Sequence, residues 1–193
     1  SAVEQRFERV REQWRSVVAR VGIELPAAGA HLLRSLRSNL AYVLVNRDGP
    51  AIQPGSRTYA RSWIRDGALT SAALLELGFD DEARDFLRWY AGYQRDDGWI
   101  PCCVDRRGAD PVPEHDSFGE FLWGVAEVYR HTGDVAFVRE LWPHVAAAAE
   151  CMQRLRATRM TPQYREPARA AFYGLLPESI SHEGYSARPV HSY

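Results

Sequence analysis

Helical periodicity runs through most of this chain, no stretch of useful length alternates as a strand, and the helical segments are of two kinds. Segments 28–45, 81–94 and 135–156 each carry a single apolar stripe. In 81–94, for example, Ala83, Phe86, Leu87 and Tyr90 share one face while Arg84, Asp85 and Arg88 lie opposite. Segments 65–77 and 117–130 are apolar nearly all round, as in Ala68-Leu69-Thr70-Ser71-Ala72-Ala73-Leu74-Leu75 and Phe118-Gly119-Glu120-Phe121-Leu122-Trp123-Gly124-Val125-Ala126. A helix with one stripe faces water on its other side, whereas a helix apolar all round belongs inside. The pattern therefore predicts an all-α fold in which outer and inner helices alternate, with Leu122 and Trp123 buried.

The links alternate as well. After each inner helix the connection is short, Gly78-Phe79-Asp80 and then Thr132-Gly133-Asp134, each reading as a Gly stop followed by an Asp start. After each outer helix it is long, 46–62, 95–113 and 157 onward. Because antiparallel helices alternate direction, all the long loops fall on one rim and the short ones on the other. Long loops gathered on one face of a rigid scaffold are where binding sites are usually built. A spacing of about 50 residues per helix pair also separates this chain from tetratricopeptide arrays, whose period is roughly 34. Ahead of these segments, residues 3–21 read as an amphipathic helix, broken by 22–26.

Composition narrows the partners. Hydrophobic residues make up 46% of the 193, with six Trp, enough for a sizeable core. The formal net charge is −1 and charges of both signs are interspersed, so neither nucleic acid nor an anionic membrane surface is an expected partner. No apolar run has the length of a membrane span, and the opening residues lack a signal-peptide pattern. All 24 basic residues are Arg, which excludes Lys-based Schiff chemistry in this segment. Cys102, Cys103 and Cys151 form neither a disulfide framework nor a metal-type pair. Spacings around His115, His182 and His191 fit no standard metal site, so no metal and no cofactor are expected. Neither a glycine-rich phosphate loop nor a serine-nucleophile elbow occurs.

The chemistry concentrates at the openings of the two inner helices. Arg61-Ser62-Trp63-Ile64-Arg65-Asp66-Gly67 places an indole, a guanidinium and a carboxylate within four residues. A pyranose presents paired hydroxyls that an Arg fork and a carboxylate grip, and an apolar ring face that an indole covers. The same residues also suit a simpler arrangement, an Arg–Asp pair capping a helix beside a core Trp. Asp66 sits in a helix's first turn beside Arg65, and both the dipole and the cation favour its ionised form, a fixed acceptor. Trp99, after Gly98 and before the stiffening Pro101, either stands free on the rim as a stacking platform or pins its loop to the core. Asp116 precedes Ser117-x-x-Glu120, which reads as a capping box, so Asp116 either binds ligand or complements the helix start.

Taken together, Trp63-Ile64-Arg65-Asp66-Gly67, Asp97-Gly98-Trp99-Ile100-Pro101, Glu114-His115-Asp116-Ser117 and Gly174-Leu175-Leu176-Pro177-Glu178-Ser179 resemble the six-hairpin glycosidases, the superfamily of glucoamylases, trehalases and bacterial glycogen-debranching relatives. The resemblance runs from about residue 28 to 193. It implies an (α/α)6 toroid of which about half the ring is present, with residues 1–26 a leading helix and linker and residues 27–193 the first part of the domain. It implies a carbohydrate substrate and an inverting glycoside hydrolase acting on α-glucoside-like sugars. Arg65 and Asp66 would hold the terminal sugar, Trp63 would shape the pocket wall, and Trp99 and Asp116 would add contacts. Toroids also host phosphorolysis and epimerisation, and a helical sugar-binding or scaffold protein shares the same features. Arg57, Arg61 and Arg188 are the cations from which a phosphate pocket would be made.

Glycoside cleavage needs two carboxyls, one protonated toward the leaving oxygen and one acting on water or carbon. Glu178 and Glu183 are the local candidates on the long-loop rim. The resemblance puts the partner carboxylate in a late hairpin and allows the acid itself to follow Tyr193, so the segment alone is expected to be inactive. Its inner faces are expected to be covered by further chain or by a second copy docking on the open edge.

Overall fold

The computed structural model describes residues 1–181 and, as backbone, the strand Ser186–His191. The fold is all-α. Six helices, α1 (Ala2–Val18), α2 (Ala30–Val45), α3 (Ile64–Glu76), α4 (Asp80–Ala91), α5 (Ser117–Thr132) and α6 (Val135–Ala157), carry the core. None of them is long and apolar enough to cross a membrane among the described residues.

α3–α4 and α5–α6 are two antiparallel hairpins standing side by side in the same orientation. At the N-terminal ends of α3 and α5, Arg65 reaches Asp116 at 3.2 Å; at their C-terminal ends, Glu76 lies 3.1 Å from His131. α3 and α5 are therefore parallel. The other two helices show the same relation through Arg84 with Asp134, Arg88 with Glu140, and Gln94 donating to the His144 carbonyl. Each contact joins residues about 50 apart, so the second hairpin repeats the first with a lateral shift, the geometry that the alternating links require.

Close approach of the hairpins depends on two glycines. A Cβ at Gly67 would lie 1.9 Å from Phe86 Cζ, and one at Gly124 would lie 3.0 Å from Leu87 Cδ2. Removing the side chain there lets α3 and α5 settle onto α4, whose stripe of Ala83, Phe86, Leu87 and Tyr90 is wholly buried. Ile64, Leu74, Phe118, Phe121, Val128, Phe137 and Leu141 complete the centre. α1 contributes only its end: Val17 and Val18 touch the core, and the Arg20 guanidinium donates to the Gly78 carbonyl at 2.7 Å and lies 3.9 Å from the centre of the Phe79 ring.

The short links follow the expected punctuation, and two other expectations are corrected. The second short link ends in left-handed Gly133 (φ 64°) and an Asp134 carboxylate that accepts from the Phe137 amide at 2.9 Å, as read from sequence. In the first link, Gly78 is also left-handed and α4 opens on Asp80, Asp81 and Glu82, after Phe79 at the N-cap without a side-chain cap. The buried Phe79 ring anchors the turn beside that acidic start. The inner helices are not buried all round. Leu122 is half-buried and Trp123 is 36% exposed, as are larger fractions of Leu69 and Tyr129. The two helices pack mainly against α4, α6 and each other, and Leu69, Trp123 and Tyr129 remain exposed among the described residues. The box expected from Ser117 and Glu120 is also absent. Asp116 begins α5 without a side-chain cap, and the Ser117 hydroxyl donates backwards to the Glu114 carbonyl at 2.8 Å.

Short strands too brief to show a period staple the long loops together. β1 (Ser62–Trp63) pairs antiparallel with β2 (Cys103–Asp105), which pairs with β3 (Gly108–Ala109), and β4 (Ser179–Ser181) pairs with β5 (Ser186–His191). Cys102, Cys103 and Cys151 are buried free thiols.

Candidate functional site

Both inner helices start where loops from elsewhere pin the chain. Trp63 pairs with Cys103 across β1 and β2, and the Ile64 amide donates to the Cys102 carbonyl at 3.1 Å, fixing the direction in which α3 leaves the sheet. Arg65 and Asp66 follow in the first turn, both part-buried. Before α5 the constraint comes from the third loop. The Ile180 amide donates to the Pro113 carbonyl, the His115 amide donates to Ser179 Oγ at 3.1 Å, and the His115 ring contacts the Pro177 carbonyl at 2.8 Å. A carbonyl only accepts, so Nδ1 of that ring carries the hydrogen. Burial lowers the imidazole pKa, which suits a neutral ring in this role.

These two pinned starts aim five ionisable groups at one another. Arg65 Nη1 lies 3.4 Å from Glu114 Oε1 and 3.2 Å from Asp116 Oδ2. Glu114 is 1% exposed, a fully buried carboxyl facing a guanidinium. Burial opposes the Arg65 charge, but Glu114, Asp116, Glu120 and Asp66 together outweigh it and raise its pKa, so the cation is permanent. Burial also raises the carboxyl of Asp116, with Glu114 adding to the effect and Arg65 opposing it. Glu120, one turn into α5, is moved furthest. Burial, then the charge on Asp116, pushes its carboxyl up to about 8, leaving it protonated at neutral pH.

Arg65, Asp66 and Asp116 thus meet at the N-terminal ends of the two parallel helices. Trp63 stands beside them with Tyr59 at 6.2 Å between ring centres and the Arg61 guanidinium 5.4 Å from its own ring centre. Trp99 is half-buried and edge-on to His115 and Phe118 at 5.4 and 5.3 Å, its loop held down by Gly98 against the Ala147 carbonyl. The pinning arrangement accounts for those contacts. Glu178 sits at the rim beside His115, half-exposed and ion-paired with buried Arg159, which also donates to the Leu176 carbonyl. Its own backbone amide, and then Arg159, lower the Glu178 pKa, so it is an ionised acceptor in this arrangement. Glu183 lies outside the described residues.

Sequence reasoning missed Glu114 and Glu120 as members of the cluster. Their signal was the acid spacing Glu114-x-Asp116-x-x-x-Glu120 at the mouth of an otherwise apolar helix, where an i,i+4 pair shares a face. Arg159 gave no signal, since its burial depends on the third loop folding over it. Among the described residues no three His, Cys, Asp or Glu side chains are grouped to hold a metal ion. Next to Trp63, a cleft of roughly 530 Å³ is lined by Arg57, Arg61, Arg106, Arg107 and Asp105. The Asp105 carboxylate, held well below its usual pKa by Arg107 and then by Arg61, occupies two of these cations.

The chain is 31% identical over 115 residues to a protein of Methanocaldococcus jannaschii named an uncharacterized glycosyl hydrolase. The match covers 58% of this chain and 18% of that protein, so the chain spans less than a fifth of the relative it matches. No protein-family model matches it, and no solved structure does.

Proposed function

We propose that this chain is the opening part of a glycoside hydrolase domain, an (α/α)6 toroid whose first hairpins are α3–α4 and α5–α6, acting on α-glucoside-like substrates with inversion. The observation that carries the reading is the meeting of Arg65, Asp66 and Asp116 at the mouths of two parallel helices, with Trp63 beside them. The name of the archaeal relative points the same way. In this reading Asp66 and Asp116 accept hydrogen bonds from sugar hydroxyls, Arg65 donates, and the indole of Trp63 covers a ring face. Glu178 and Glu183 are the proposed catalytic carboxyls. The ionised state of Glu178 suits it to accepting a proton from water, not to protonating a leaving oxygen.

Asp66→Asn keeps the shape and removes the charge. In the full-length protein, catalytic efficiency on α-linked disaccharides is expected to fall at least tenfold, about 1.4 kcal/mol of transition-state stabilisation, while the melting temperature holds. Unchanged turnover on every cleaved substrate removes Asp66 from the site. The arginine-lined cleft beside Trp63 favours one second reading, phosphorolysis, in which phosphate replaces water as acceptor. Appearance of a sugar 1-phosphate only when phosphate is present would select it.

A further inference from the structure

We infer that Asp116 and Glu120 share a single proton, and that Glu120 acts as a positioning residue, holding Asp116 in the orientation with which it grips Arg65. The two stand one turn apart at the start of α5, an i,i+4 pair sharing one helix face. Asp116 Oδ2 is taken by Arg65. Asp116 Oδ1 and Glu120 Oε2 are both buried, and neither has a donor among the described residues.

Ionised carboxylates only accept, so two facing each other out of water leave their oxygens unsatisfied and repel. A single proton removes both penalties. The charged groups around the pair decide which carboxyl holds it. Arg65 faces it from α3, Glu114 and the neutral His115 ring from the preceding loop, and Tyr90 from α4. Arg65 is bonded to Asp116 and favours the anion there. The Tyr90 phenol is fully buried, with its own ionisation pushed far up, and it donates to the Pro101 carbonyl, so it stays neutral. The proton therefore resides on Glu120 and is donated to Asp116. Glu120 then adds no negative charge to those facing the guanidinium. The consequence for a sugar, that Asp116 meets it as a fixed acceptor, rests on the glycosidase reading; the shared proton does not.

The test uses the full chain without any sugar. Infrared difference spectra of wild type against Glu120→Gln should show a protonated-carboxyl C=O stretch at neutral pH that disappears in the variant and titrates out near about 8. Glutamine also donates a hydrogen bond, so Glu120→Gln should retain the melting temperature that Glu120→Ala loses. The sign of the pH effect follows from linkage. The unfolded glutamate loses its proton around its ordinary 4.5, while the folded one holds it to about 8. This contribution to stability is complete below the lower value and declines as pH rises to the upper one. Wild-type melting temperature should carry that decline, and Glu120→Gln should flatten it.

Absence of the band at neutral pH overturns the inference, as does a Glu120→Gln variant with the wild-type slope or with the loss seen for alanine. If neither variant folds, the wild-type spectrum decides by itself. Failure of the sugar assays leaves this result standing, and failure here leaves glycoside hydrolysis standing.

Discussion

The two ends of the parallel pair α3 and α5 are built from similar residue types and behave differently. At the N-terminal ends, Arg65 is surrounded by four carboxyls, one of them 1% exposed, and several groups have displaced pKa values. At the C-terminal ends, Glu76 and His131 also lie 3.1 Å apart, but the glutamate is three-quarters exposed. The difference lies in what covers the helix mouths. Loops of many residues fold over the N-terminal ends and exclude water, so each charge there must be matched by another. The short turns at the other ends leave Glu76 largely in water, where such a contact contributes little. Even the glycines differ. Gly98, on the loop side, is left-handed (φ 86°) with space for a Cβ only 2.2 Å from the Ala147 carbonyl oxygen, whereas Gly133, on the turn side, is left-handed (φ 64°) with nothing within 4 Å.

Substitutions at the two ends should expose the contrast in order of size. Arg65→Met leaves a buried carboxyl cluster without its cation and should cost about 3–5 kcal/mol in denaturant unfolding at neutral pH. The loss should shrink at acid pH, where the carboxyls left behind take up protons. A loss under 1 kcal/mol would mean that the cluster is hydrated and the two ends are alike. Gly98→Ala combines left-handed strain with overpacking against helix backbone, on the order of 2–5 kcal/mol. Gly133→Ala, with the strain alone, should cost only about 1–2 kcal/mol. Equal losses for the two glycines would show that crowding at Gly98 relaxes freely. The smallest effect is expected for His131→Ala, within about 0.5 kcal/mol by the same measurement.

Much of the scaffold was legible in the sequence because it follows from periodicity and punctuation, which are local. The single stripe of α4, the positions of the long and short links, the left-handed Gly133 and the Asp134 cap each depend on residues a few positions apart. The common rim of Arg65, Asp66 and Asp116 followed from link lengths alone. What remained open required knowing what packs on what. Phe79 stands at the N-cap of α4 because its ring finds the core. Trp123 stays exposed because α5 is covered on some sides only. Ser117 turns back to Glu114 because the third loop has already fixed that segment through His115 and Ser179.

The charge states belong wholly to the tertiary level. Nothing in Ser117-x-x-Glu120 distinguishes a hydrated capping glutamate from one that keeps its proton at neutral pH. Burial beside Asp116 decides between them, and burial is a property of every element that covers the site. The sequence by itself determined the helices, their order, their direction and the rim on which the polar residues gather. Only the folded chain decided which of those residues lose their water, because burial and charge pairing act between groups about 50 residues apart that meet nowhere except in three dimensions.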